Sequence, residues 1–179
     1  MQASGVNLLS SVEPNPPGNL SRPRALLDSS PIFSTLRQEE KDTFSQNMTL
    51  QSFRAGETIL EAGEVSDHLF IIESGVVTVT LTRHGVPFES GRMGPGEVIG
   101  EAGILEDSSV PARFTAKTFC GLYRIEKSYL KPCLDARQDI NDAMKTLLDY
   151  RLHKAKTLTQ DLPVAQVKKG FLQWLRNRV

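Results

Sequence analysis

His68-Leu69-Phe70-Ile71-Ile72-Glu73-Ser74-Gly75-Val76-Val77-Thr78-Val79-Thr80-Leu81-Thr82-Arg83-His84-Gly85 is the stretch whose reading decides the fold. A short apolar run, Leu69 to Ile72, stops at Gly75, and a second run follows with a period of two. Val77, Val79 and Leu81 alternate with Thr78, Thr80 and Thr82, which gives one apolar face and one polar, β-favouring face. His84-Gly85 then supplies a two-residue hairpin turn. Outward from this hairpin the same period and the same glycine punctuation hold from Leu50 to Ile125. Strands are expected at Gln51 to Phe53, Thr58 to Leu60, His68 to Glu73, Val76 to Leu81, Phe88 to Met93, Glu97 to Ile99, Arg113 to Lys117 and Gly121 to Ile125. Eight short strands imply a barrel or roll.

Helical spacing flanks this β region on both sides. Arg24 to Asp28 reads as a short helical turn, and Ser30-Pro31 offers an N-cap with proline at the first helical position ahead of Ile32, Phe33 and Leu36. Glu39 to Met48 carries acidic residues in its first turn and the apolar pair Phe44 and Met48 four apart. After Glu126, helices are expected at Lys127 to Leu134 and from Arg137 to about Lys156, the latter with Ile140, Met144, Leu147, Leu148 and Arg151 on one side. The fold class is therefore mainly β with flanking helices: an eight-stranded jelly-roll-like β-roll, short N-terminal helices and two C-terminal helices.

The chain has 179 residues, 39% hydrophobic and 23% charged, which suits one ordinary domain with appendages. Residues 1–23 are rich in Ser, Asn, Pro and Gly without an apolar period and read as a flexible linker or tail. Residues 24–152 form the domain, and 153–179 a basic amphipathic extension. That extension breaks at Asp161-Leu162-Pro163 and then spaces Val164, Val167, Phe171, Trp174 and Leu175 helically. Phe171 and Trp174 pack either on the domain or across a dimer, so a homo-oligomer is an open expectation; the alternative is an amphipath that binds a surface or partner. Lys plus Arg, 21, balance Asp plus Glu, 21, so no global basic field exists to hold nucleic acid or an anionic membrane. No apolar run is long enough to span a bilayer, and Met1 to Ser11 lacks the pattern of a signal peptide, so a cytoplasmic chain, or the cytoplasmic part of a membrane protein, is expected. Cys120 and Cys133 with His68, His84 and His153 give neither a disulfide framework nor metal-ligand spacing, and both thiols read as packing residues. Neither a P-loop, nor a nucleophile elbow, nor paired carboxylates appear, so the chain is not read as an enzyme, and no cofactor is expected.

Three segments carry a family resemblance in their order and spacing. They are Arg54-Ala55-Gly56-Glu57-Thr58-Ile59 with Glu61-Ala62-Gly63-Glu64; Leu69 to Val79; and Met93-Gly94-Pro95-Gly96-Glu97-Val98-Ile99-Gly100-Glu101. Together they make the stretch from about Leu26 to Arg151 resemble the cyclic-nucleotide-binding domains of bacterial catabolite-activator regulators, kinase regulatory subunits and gated channels. The resemblance implies that Gly100-Glu101-Ala102-Gly103-Ile104-Leu105 is a phosphate-binding cassette. Glu101 would accept from the ribose 2′-hydroxyl, with Gly100 and Ala102 supplying backbone contacts. It also implies a ligand, cAMP or cGMP, and a long helix that acts as a lid, with Leu147, Leu148 and Arg151 as candidates to meet the base.

The far end of the cassette, Ser108-Ser109-Val110-Pro111-Ala112-Arg113, departs from the family pattern. Aligned without a gap, Val110 stands where the family has the arginine that pairs with phosphate, and Arg113 where it has Thr or Ser. Losing that charge-assisted hydrogen bond weakens binding by about one to two orders of magnitude. Two readings of Arg113 stand open: it reaches the phosphate from the next strand, aided by the hydroxyls of Ser108 and Ser109, or it points outward or pairs with Glu106 or Asp107. The ligand-binding set expected is thus Gly100, Glu101, Ala102, Ser109, Val110 and Arg113. Only 27 residues follow Leu152, too few for a winged helix-turn-helix, so no nucleic acid partner is expected. The segment from Cys120 to Pro132, with Arg137 and Ile140, is most similar to the sensory domains of bacterial mechanosensitive-type channels, which makes a membrane channel pore the expected effector. The rival expectation is a degenerate domain that assembles partners without a ligand.

Overall fold

The computed structural model describes residues 12–13 and 20–160. After β1 (Val12–Glu13) come α1 (Ser21–Ser29) and α2 (Gln38–Gln46). Eight strands follow: β2 (Thr49–Phe53), β3 (Thr58–Leu60), β4 (His68–Ser74), β5 (Val77–Arg83), β6 (Val86–Met93), β7 (Val98–Ile99), β8 (Arg113–Ala116) and β9 (Cys120–Glu126). The helix α3 (Glu101–Glu106) interrupts them between β7 and β8, and α4 (Lys127–Ala136) and α5 (Gln138–Thr159) close the domain. The strands form two sheets, β1-β2-β9-β4-β7 and β3-β8-β5-β6, antiparallel at every pairing, as a roll.

The unbroken apolar run of β4 is explained by two cores. Leu69 and Ile71 face a core shared with the helices, where Phe33, Phe44, Leu130 and Met144 meet them. Phe70 and Ile72 face the interior of the roll, with Phe53, Val77, Leu81 and Leu122. A strand buried on both faces has no polar side to alternate with. β9 divides in the same way, Tyr123 and Ile125 to the helices and Cys120 and Leu122 to the roll. At the hairpin between β5 and β6, both His84 and Gly85 take positive φ, 51° and 78°, as a twisted two-residue turn requires.

A single device shapes three of the other turns. Arg54-Ala55-Gly56-Glu57, Glu61-Ala62-Gly63-Glu64 and Gly94-Pro95-Gly96-Glu97 each place a glycine ahead of a glutamate. In each, the first residue's N–H donates to that glutamate's carboxylate, at 2.7, 3.0 and 2.8 Å. The repeated Ala-Gly-Glu and Pro-Gly-Glu signatures are thus turn chemistry.

Two expectations differ from the structure. The stretch expected to be a flexible linker or tail contains β1, whose backbone pairs with the open edge of β2 at Val12↔Gln51 and Glu13↔Leu50, and α1 already begins at Ser21. An unpaired strand edge accepts even two residues, whatever their composition. Ser30-Pro31 starts no helix: Ser30 ends α1, donating its N–H to Leu26, and the next residues make only turns, such as Ser34 N–H to Ser30 O at 3.0 Å. Helix α5 runs to Thr159, close to its expected end near Lys156, and the expected helix carrying Phe171 and Trp174 lies outside the described residues. The start of α5 is fastened to α2 by Arg137, which pairs with Glu40 and Asp139 and donates to Thr35 O at 3.0 Å.

Candidate ligand site

Between β7 and α3 the backbone turns at Gly100, φ 99°, where a Cβ would lie 2.7 Å from His68 O. One turn later a Cβ on Gly103 would lie 2.1 Å from Ser66 O, so α3 rests directly on the chain entering β4. This contact sets Glu101 at the first position of α3, 5% exposed, where a carboxylate complements the helix dipole. Its partner comes from the far end of the domain: Arg151 of α5 donates one Nη1 to Glu101 Oε1 and to Val98 O, both at 2.7 Å.

Above this pair lies a cavity of about 190 Å³ between the roll and α5. The roll lines it with Val79, Leu81, Met93, Ala102, Val110, Ala112 and Phe114, and α5 covers it with Leu147, Leu148, Arg151, Leu152 and Ala155. Glu97, Arg92, Tyr150 and Lys154 are also among the lining residues. Arg92 is engaged by Glu89 at 2.7 Å, and Tyr150 is exposed.

Of the residues expected at the site, Glu101, Ala102 and Val110 line this cavity, and Gly100 supplies the turn behind them. Val110 is 3% exposed and is fixed by two backbone hydrogen bonds, its N–H to Glu64 O and its O from Gly63 N–H, both 2.9 Å. Ser109 is exposed and outside the lining. Arg113 is also outside it: its side chain is 52% exposed and bonds Glu61 at 2.7 Å, neither Glu106 nor Asp107 being its partner. The reason is strand parity. Phe114 and Ala116 of β8 face into the roll, which turns Arg113 outward toward the end of β3. Ser108 bonds Ala102 O at 3.3 Å and so closes α3. Asp107, αL at φ 53°, ends the helix and pairs with Lys127, which also donates to Gly103 O at 2.6 Å. Sequence reasoning missed Lys127, Arg92 and Lys154; nothing in their spacing marks them.

The chemistry available is binding. Among the described residues no group of His, Cys, Asp and Glu suits a metal ion, and no helix is long and apolar enough to cross a membrane. Cys120 is buried and donates to Val76 O, and burial pushes the Cys133 thiol up.

Residues 50–137 match the family model described as cyclic nucleotide-binding domain. The chain is 26% identical over 124 residues to the cAMP-dependent protein kinase type II regulatory subunit of Drosophila melanogaster, covering 65% of this chain and 33% of that protein. Two solved structures are similar. The regulatory subunit of a cAMP-independent protein kinase A from Trypanosoma brucei has a TM-score of 0.67 at 25% identity, over 78% of this chain and 53% of that one. The corresponding subunit from Trypanosoma cruzi, bound to guanosine, has a TM-score of 0.66 at 25% identity over the same shares, 78% and 53%. The chain spans between a tenth and a third of the length of the first curated relatives it matches, 11%, 33% and 10%. From the first strand of the eight-stranded roll to the end of α4, residues 50–137 are thus similar to the cyclic nucleotide-binding domain family.

Proposed function

We propose that the domain is a non-enzymatic regulatory sensor that takes a purine riboside of the cyclic nucleotide class into the cavity under α5 and relays its presence by moving that helix. The observation that carries this reading is Glu101, buried at the start of α3 and held by an arginine from the helix that covers the same cavity. A ribose hydroxyl donating to Glu101 competes with Arg151 for the carboxylate. At about 190 Å³ the cavity is smaller than the roughly 300–1,000 Å³ usual for ligand pockets, so entry of a whole riboside requires α5 to swing outward. Binding and helix movement are thereby one event. The ligands named for relatives, cAMP in the Drosophila subunit and guanosine in the T. cruzi structure, share the purine riboside.

Calorimetric titration with cAMP, cGMP, adenosine and guanosine tests the reading, and heat that saturates with at least one is expected. In thermal melting the same ligand at one hundred times its Kd adds about 2.7 kcal/mol. No heat with any of the four at millimolar concentration refutes it. That outcome would favour a second reading, a ligand-free assembly domain, which is supported by the way Arg151 already satisfies Glu101 and by the absence of a cation at Val110.

Relatives that are kinase regulatory subunits make a cytoplasmic kinase-type partner the first effector proposed. The channel pore expected from the segment Cys120 to Ile140 is set second, because none of these relatives is a channel. Co-purification of the chain with proteins that its ligand releases, against ligand-independent attachment to a membrane fraction, distinguishes the two.

A further inference from the structure

Resting on the reading above, we propose that the cavity is selective for an uncharged purine nucleoside over the corresponding 3′,5′-cyclic phosphate, and that Val110 and Glu101 set this preference. The wall next to Glu101 is apolar: Val110, Ala112, Ala102 and Phe114 are all buried, and Val110 is locked in place by its backbone bonds to Gly63 and Glu64. Burying an anion against such a wall needs a partner charge. Among the described residues that line the cavity, the cations lie elsewhere. Arg92 sits on β6 in an ion pair with Glu89, Arg151 is bonded to Glu101, and exposed Lys154 stands on α5 with Nζ 3.9 Å from where a Cβ on Gly91 would be. Arg113, the other cation near this wall, faces Glu61 outside the cavity.

The carboxylate of Glu101 points to the same conclusion from the ligand's side. When a ligand displaces Arg151, this buried group needs hydrogen-bond donors. A nucleoside offers two adjacent donors, its 2′- and 3′-hydroxyls, which can meet the two oxygens of one carboxylate. In a 3′,5′-cyclic phosphate the 3′-oxygen is esterified, so only the 2′-hydroxyl remains. The phosphate also adds a second negative charge beside Glu101.

The test is titration of the full chain with adenosine, cAMP and 3′-deoxyadenosine, with guanosine and cGMP as a second pair. Nucleoside is expected to bind at least tenfold more tightly than its cyclic phosphate, and loss of the 3′-hydroxyl to cost at least fivefold. Val110→Arg, which returns a cation to the wall, is expected to shift the ratio at least tenfold toward the cyclic phosphate. If that variant does not fold, the ratio in the unaltered chain and the 3′-deoxy comparison decide alone. Cyclic phosphate binding as tightly as the nucleoside, or no cost for the missing 3′-hydroxyl, overturns the selectivity and leaves the sensor reading standing. No binding by any riboside overturns both.

Discussion

Replacing Arg151 by Met keeps the aliphatic stem of the side chain and removes the guanidinium that donates to Glu101 and Val98. What remains is a carboxylate 5% exposed, beside an apolar cavity, without its partner. Breaking a buried ion pair from one side costs about 3–5 kcal/mol. Arg151 retains 19% of its side-chain exposure, so part of its charge is already met by water and the expected cost falls to about 2–3 kcal/mol. For a chain of this size that is a drop of roughly 4–12 °C in Tm. Urea unfolding of the single variants Arg151→Met and Glu101→Gln and of the double variant completes a cycle. If the pair itself stabilises the closed helix, the double variant costs less than the sum of the singles by about 1.5–2 kcal/mol. A loss below about 0.5 kcal/mol for Arg151→Met, or strict additivity, would show that α5 is held by its apolar face alone and that no ligand need compete for Glu101.

Three further outcomes are expected. Glu40 and Asp139 are both held down to about 2, chiefly by hydrogen bonds from Arg37 and Arg137 respectively. Their contribution is therefore present above about pH 5 and lost as pH falls toward 2. In chemical unfolding followed between pH 6 and 2.5, Arg137→Gln should flatten that decline, and an unchanged slope would place the acid sensitivity elsewhere. Gly103→Ala drives a methyl into Ser66 O, and it should cost about 1–3 kcal/mol in urea unfolding, more than an ordinary surface change. Arg113→Ala removes an exposed ion pair with Glu61 and should cost less than about 1 kcal/mol; by titration it should alter riboside affinity less than threefold, while a tenfold loss would mean that Arg113 turns inward when ligand binds.

Where the sequence carried local rules, the structure was legible in it. The alternation of Val77, Val79 and Leu81 with threonines, and the turn His84-Gly85, describe β5 and its hairpin because side-chain parity and positive φ are properties of neighbouring residues. Glu101, Ala102 and Val110 were expected at the site from the cassette resemblance, and all three line the cavity under α5. The Glu101–Arg151 bond was not legible: fifty residues separate its ends, and a basic residue on an amphipathic helix has the same appearance whether it is buried or solvated. Arg113 was undecided for a related reason. The parity of β8 depends on where α3 and the loop after it deliver the chain, and Phe114, the residue that fixes this parity, gives no sign of it in isolation. β1 was invisible because its pairing is made by backbone at the free edge of β2, which leaves no trace in side-chain pattern.

Helix α5 can also be considered as a rod. It is pinned at its base, where Arg137 ties it to α2 and the preceding loop, and clasped again at Arg151. At ~1.5 Å per residue the clasp lies roughly 20 Å from the pin and Thr159 about 33 Å. A swing about the pin would therefore arrive at the tip enlarged by about half, so that a shift of ~3 Å at Arg151 becomes ~5 Å at Thr159. The clasp grips far enough along the rod to hold it down, and the arm beyond it rests on the roll only through Leu152, Ala155 and Leu158 among its apolar residues; on the proposed reading that arm is the part best placed to convert a hydrogen bond won or lost at Glu101 into a stroke that a partner can feel.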